Sequence, residues 1–321
     1  MDNIAHALAG AAIAKSGFQR SIPEKKATII GVVAANIPDL DFVELILGAR
    51  DNFVFHHRGF THSFLCGLLV SLFLAWLCRK LWRNLPFWPT FFLIAAAYAS
   101  HILLDLANSW GTSAAAPFNH TRYAEDILFI IDPMIWLTLG SPWLFKKWIP
   151  EVRSFRASLI VLGCYMVMCL LAHQVASTSF RHLLSRKGVQ AQSIKVYPAP
   201  LAPIFWNAVA QDKTHSYQAY LTMPYGAADF ARVRAHNLNK KMVQDFQAGA
   251  GAPYFEWARS PTATINAEEN GVHRLLLQDL RFERNPDPNH LETRFDYTVR
   301  MQQTSQGTWE IVDHPGFEEH L

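Results

Sequence analysis

The sequence predicts an α-helical membrane domain, with about four transmembrane helices and a short N-terminal helical hairpin, followed by a small α+β soluble domain. Three observations predict it. Half of the 321 residues are apolar and only 17% are charged, too little polar surface for a water-soluble chain of this length. Four apolar stretches approach the roughly 20 residues that cross a bilayer. Beyond about residue 180 the charges become denser, and apolar residues start to alternate with polar ones.

The composition also narrows the function classes. Ten Trp and 22 Phe suit membrane interfaces and deep cores. A net charge of +3 without a basic run gives no electrostatic footprint for nucleic acid, so no nucleic-acid partner is expected. Cys66, Cys78, Cys164 and Cys169 sit in apolar stretches without a CxxC pair, which argues against a disulfide framework. Met1-Asp2-Asn3 lacks the basic start of a cleaved signal peptide, so insertion is expected to rest on internal segments.

Ile4–Ala14 and Ala27–Ile37 are too short to span and fit a half-inserted helical hairpin. Phe64–Leu81, Phe87–Leu106, Ile127–Phe145 and Phe155–Ala176 are the four expected spans. Lys15, Arg20, Lys25 and Lys26 lie in the hairpin turn; Arg79, Lys80 and Arg83 end the first span; Lys146, Lys147, Arg153 and Arg156 join the third and fourth. The positive-inside rule makes these turns cytoplasmic, so the opposite connections and the C-terminal domain face outward. The domain limits read as 1–180 for the membrane part, 181–205 for a linker and 206–321 for the outer domain. In that last part Phe295, Tyr297, Val299 and Met301 alternate with polar residues, the period of a half-buried strand. Tyr217–Met223, Val272–Arg281 and Thr308–Val312 read as strands too, and Asp229–Phe246 as a helix.

His6, Asp39, Asp41, His56, His57, His62, His101, Asp105 and Asp132 all fall at the outer ends of their segments. Imidazoles and carboxylates are the ligand set of zinc and related divalent ions, so the pattern points to a divalent metal, zinc by preference, at the outer membrane face. His101 and Asp105 are four apart on a helix and share a face; the alternative is a buried His–Asp hydrogen bond that braces helices. In His57-Arg58-Gly59-Phe60-Thr61-His62-Ser63, Gly59 permits a turn, Thr61 or Ser63 can cap the next helix, and Arg58 can hold an anionic group or a lipid phosphate. Asp39 and Asp41 can bridge metal ions, although Asp41 also makes a capping-box pattern with Glu44. Asp132 would be costly unpaired within a span, and Glu125 would share its face if that segment were helical. His6 gains weight because the hairpin returns it beside Asp39. His120 is a weaker candidate, and the histidines beyond residue 170 lack ligand spacing.

These elements, together with Gly111, Pro117-Phe118 and Asp132-Pro133, resemble the YdjM-like family of bacterial inner-membrane metal-dependent hydrolases. The resemblance covers residues 1 to about 180; Pro198–Trp206 and Asp279-Leu280-Arg281 look like the extension of its longer members, many of which lack a His at the position of His6. In motif style the chain is more distantly similar to zinc-dependent phospholipases C. The resemblance implies an inner-membrane location, a divalent metal and hydrolysis. His6, Asp39, His57, His62, His101 and Asp105 are then the expected metal ligands, Asp41 or Asp132 a further ligand or general base, and Arg58 an anion clamp. A site level with lipid headgroups favours a phosphoester or phospholipid-like substrate. The competing reading is a non-enzymatic membrane protein: an ion-handling transporter, or a scaffold with a structural metal.

Overall fold

The computed structural model describes residues 1–48, 50–283 and 295–317, the side chains of residues 44, 45, 50, 52, 314 and 315 aside. The chain divides into two compact units. The first comprises Met1–Gly48, His56–Leu171 and Pro200–Pro203; the second comprises Ala49–Phe55, Ala172–Ala199 and Ile204–Leu321.

The first unit is helical. Helix α1 (Asn3–Lys15) starts where the Asp2 carboxylate accepts the backbone N–H groups of Ile4 and Ala5, both at 3.0 Å, which satisfies two donors that a helix start leaves open. It turns back into α2 (Glu24–Asn36), the expected hairpin. Gly10 and Gly31 are the reason the pair packs closely: a Cβ on either would collide with the carbonyl of the other. Pro38 then starts a 3-10 segment, Ile37–Phe42, followed by the short helices α3 (Val43–Ile46) and α4 (Arg50–His56).

Among the described residues three helices are long and apolar enough to cross a membrane: α5 (Phe64–Leu81), α6 (Phe87–Leu106) and α8 (Glu151–Arg186). Helix α5 begins where Ser63 Oγ accepts the Cys66 N–H at 3.1 Å, so Ser63 rather than Thr61 is its cap. Its small residues Gly67, Ser71 and Ala75 are buried, and Gly67 leaves room for the Tyr98 ring of α6. Leu68, Leu69, Leu72, Phe73 and Trp76 stay exposed, the surface a lipid-facing helix presents.

The expected span Ile127–Phe145 folds differently. Only Pro133–Phe145 is helical (α7), 13 residues or about 20 Å, against a hydrocarbon core of about 30 Å. The cause is local: Asp132 caps the Met134 N–H at 2.9 Å and Pro133 occupies the first turn, so the helix cannot extend backwards. Residues 125–132 are therefore not helical, and the shared helical face expected for Glu125 and Asp132 does not exist. The fourth stretch is longer than expected: α8 runs on to Arg186, into the first residues of the expected linker 181–205.

The basic ends of these helices meet. Lys15 Nζ pairs with Glu24 and, at 2.8 Å, with Glu151, while Arg156 Nε donates to the Ser16 carbonyl at 2.7 Å. Ala5, Ala9 and Ala12 of α1 pack with Leu104 of α6, Ile135 and Leu139 of α7, and Phe155 of α8 in one apolar core.

The second unit contains two four-stranded antiparallel meanders. The first consists of β1 (Ser193–Pro198), β2 (Phe205–Gln211), β3 (His215–Thr222) and β4 (Arg232–Ala235). After α9 (Lys241–Ala248) and α10 (Ala252–Trp257) come β5 (Pro261–Ala267), β6 (Val272–Asp279), β7 (Tyr297–Gln303) and β8 (Trp309–Phe317). Central strand β2 registers Ala208 against Val196 and Ala219, and the Asn207 amide donates to the Leu280 and Glu283 carbonyls at 3.0 and 3.2 Å. The expected helix Asp229–Phe246 is replaced by strand β4 and a helix that starts only at Lys241.

Candidate metal centre

One end of the helical unit gathers the polar residues. His6 comes from the second turn of α1; Asp39 and Asp41 from the 3-10 segment after α2; His57 and Arg58 from the turn after α4; His62 from a second 3-10 turn, Phe60–His62; His101 and Asp105 from the end of α6. In the tight turn, Arg58 takes the left-handed φ of 64°, and Gly59 is needed because a Cβ there would lie 2.8 Å from the His56 carbonyl. Lys15, Lys25, Lys26, Arg79 and Lys80 lie at the other ends of the same helices.

Asp39, His62, His101 and Asp105 form a first group of ligand atoms, all within 4.8 Å of one another. His62 Nε2 stands 3.2 Å from Asp39 Oδ1 and 3.4 Å from Asp105 Oδ2; His101 Nε2 stands 3.5 Å and 3.3 Å from the same two oxygens. A tetrahedral ion about 2.0–2.1 Å from each ligand would need edges of about 3.3 Å, so these four separations have the size of a zinc-type shell. The orientation agrees. His101 Nε2 and Asp105 Oδ2 are buried without a hydrogen-bond partner among the described residues, although they are close neighbours. Buried polar atoms are costly without partners, and a shared cation would satisfy both. On the other side of its ring, His101 Nδ1 donates to the Ala35 carbonyl at 2.7 Å, which leaves the Nε2 lone pair facing the group.

Asp39 also belongs to a second group, with Asp41 and His57. His57 Nδ1 lies 3.1 Å from each Asp41 oxygen, and the Thr61 hydroxyl reaches Asp41 Oδ2 at 3.4 Å and His62 Nδ1 at 3.0 Å. This group is half-buried, unlike the first. Burial alone would raise the Asp39 carboxyl, but the His101 and His62 imidazoles beside it hold it well below the usual carboxylate range. Burial lowers the His57 imidazole below its ordinary value, against the opposing hydrogen bond to Asp41. An ionised carboxylate and a neutral imidazole are the forms that bind metal.

The two Asp105 oxygens are divided. Oδ1 takes the Met1 α-amine, Arg58 Nη2 at 3.1 Å, Asn108 Nδ2 at 3.4 Å and the approach of His6 Nε2 at 3.4 Å, while Oδ2 faces the ligand group. His6 stacks on His101, with ring centroids 3.6 Å apart, and both its nitrogens are buried without a hydrogen-bond partner among the described residues. Arg58 is buried beneath this. Its Nη1 donates to Asn108 Oδ1 at 2.6 Å, and its guanidinium lies 5.9 Å from the Trp110 ring centre. Each of its terminal nitrogens thus has a protein partner, Asp105 or Asn108, and the side chain is buried beside the ligand group.

Asp132 does not join the cluster. It caps α7 and accepts the Tyr165 hydroxyl at 2.7 Å. His56 and His120 are exposed and lie outside both ligand groups, and the capping role considered for Asp41 toward Glu44 lies outside the described side chains. Sequence reasoning gave Thr61 only a capping role, and did not place Asn108, Trp110 or the Ala35 carbonyl at the site. Asn108 was readable only as a polar residue three beyond Asp105, just past the end of α6; the carbonyl carries no sequence signal.

A family model described as YdjM inner membrane protein matches residues 1–176, and the chain belongs to that family. It is 27% identical to the uncharacterized protein YfhP of Bacillus subtilis (strain 168) over 44% of this chain and 44% of YfhP. It is 26% identical to the inner membrane protein YbcI of Escherichia coli (strain K12) over 34% of this chain and 75% of YbcI. The match thus spans less than half the length of YfhP. No solved structure matches the chain.

Proposed function

We propose that this member of the YdjM inner membrane protein family is a metal-dependent hydrolase that acts on a phosphoester at the outer face of the membrane. The observation that carries the reading is the contrast between its two ligand groups. Asp39, His62, His101 and Asp105 supply four protein ligands in a buried setting, as a closed site does. Asp39, Asp41 and His57 supply three in a half-buried setting, which leaves room for water or substrate, the pattern of a catalytic site.

Bound divalent metal, zinc by preference from the donor set, would polarise the scissile group and lower the pKa of water toward 7. The chain's own residues do the rest. Asp39, shared by both groups, fixes their separation. His101 is oriented by the Ala35 carbonyl, His62 by the Thr61 hydroxyl, and Asp105 by Arg58 and Asn108. Asp41, at the half-buried edge of the cluster beside His57, would serve as a further ligand or as the general base for water. The outward sidedness rests on the basic residues at the opposite helix ends. A phosphoester is favoured because several imidazoles and carboxylates around paired cations can stabilise both attacking and leaving oxygens.

The closed first group by itself would also suit a scaffold with a structural metal. Purified wild type, His101→Ala and His57→Ala, assayed for metal content and for hydrolysis of phosphomonoesters, phosphodiesters and phospholipids, separate the readings. The enzyme reading expects metal in the wild type and hydrolysis that both substitutions abolish. Metal without turnover on any of these esters would put the scaffold in its place.

A further inference from the structure

The segment that carries Asp39 and Asp41 carries the opposite chemistry on its outer side. Their side chains are mostly enclosed, at 11% and 15% exposure, while Leu40 between them is 69% exposed and Phe42 beside them is half exposed. Ile46 and Leu47, a few residues on, are 75% and 77% exposed, and Phe60, on the turn that delivers His62, is half exposed as well. In water such a cluster of exposed apolar side chains is unfavourable, and it marks an interaction surface. It adjoins the ends of two spans: Phe60 lies four residues before the start of α5, and Asp39 meets the C-terminal part of α6 through His101. The apolar surface is therefore continuous with helices whose outer faces already require lipid.

We propose that the segment Leu40–Leu47 sits in the boundary between headgroups and acyl chains, and that the metal cluster receives its substrate sideways from the bilayer. Resting on the phosphoester reading, this makes the substrate class a membrane-resident lipid phosphoester whose acyl chains stay in the leaflet while its headgroup reaches Asp39 and Asp41. Alternation of ligand and apolar residues within one short segment produces this arrangement. A side chain that holds metal and one that enters lipid are adjacent in sequence, so the reacting bond need rise only a few ångströms out of the acyl layer.

The seat in the bilayer is tested without activity. In the full-length chain with Cys66, Cys78, Cys164 and Cys169 replaced by Ser, Leu40→Cys and Leu47→Cys are each spin-labelled and reconstituted into phosphatidylethanolamine and phosphatidylglycerol vesicles. Collision with oxygen, which concentrates in lipid, should exceed collision with a water-soluble nickel chelate at both positions. The reverse ranking would overturn the proposal, and so would spin–spin broadening that disappears on dilution, because that would put a second copy on the surface.

The substrate class is tested with Ile46→Asp/Leu47→Asp. The ratio of kcat/KM on a long-chain phospholipid in vesicles to that on a short-chain soluble phosphoester should fall at least tenfold. An unchanged ratio would overturn lateral delivery. A wild type that holds metal and hydrolyses neither ester defeats the phosphoester reading instead, and leaves the spin-label result to decide the seat.

Discussion

Asp39 Oδ1 lies 3.2 Å from His62 Nε2, and the same carboxylate reaches toward Asp41 and His57 in the second ligand group. One side chain therefore belongs to both candidate groups, the buried one proposed as a closed site and the half-buried one proposed as an open site. Asp39→Ala should remove metal from both, whereas Asp41→Ala should remove it from the open site alone. Elemental analysis of the two purified variants checks this, and equal losses would show that the groups are not joined through Asp39.

Arg58 is a support for Asp105 in this structure, buried and bonded to Asn108 as well. Residues that orient ligands typically contribute 10–100-fold to metal affinity. Arg58→Lys keeps the charge but cannot span both partners with a planar fork, so metal affinity should weaken by about tenfold or more in competition with a chelator. Affinity equal to wild type, combined with a raised KM, would return Arg58 to the role of an anion clamp.

Asp132 is committed to the start of α7 and to Tyr165. Asp132→Ala should lower stability by about 1–2 kcal/mol through the lost cap and hydrogen bond. Metal content should stay at the wild-type value. A loss of metal at unchanged thermal stability would place Asp132 in the site after all.

Gly10 and Gly31 set the distance between α1 and α2, and hence the positions of His6 and Asp39. Gly10→Ala puts a methyl group against the Gly31 carbonyl, a backbone atom that cannot swing aside. Overpacking of this kind costs about 1–3 kcal/mol. Thermal unfolding in detergent should show the loss, with reduced metal binding alongside; a variant as stable as wild type would mean that the hairpin is not packed through these glycines.

Much of this was legible in the sequence because membrane chains constrain it. The hairpin of Ile4–Ala14 and Ala27–Ile37 and the helices Phe64–Leu81 and Phe87–Leu106 follow from apolar length, and His101 and Asp105 share a helical face by spacing, whereas the Gly10–Gly31 contact within the hairpin shows only in the structure. What misled was also physical. Ile127–Phe145 is apolar enough to resemble a span, but Asp132 and Pro133 start a helix inside it, and apolar length does not register a cap. Strand β2 escaped the alternation test because nearly all its residues are buried, and β5 because two of its three alternating apolar residues, Ala263 and Ala267, are alanines that carry little apolar signal. The partition of the Asp105 oxygens depends on Arg58 and Asn108, and only packing brings these together.

The most direct measurement is the metal content of the wild-type, full-length protein, purified in detergent without chelator and analysed by inductively coupled plasma mass spectrometry. The two groups joined through Asp39 predict about two divalent ions per chain. A protein that is folded by thermal unfolding, takes up no divalent metal when zinc or manganese is supplied, and releases none to a chelator would contradict the account.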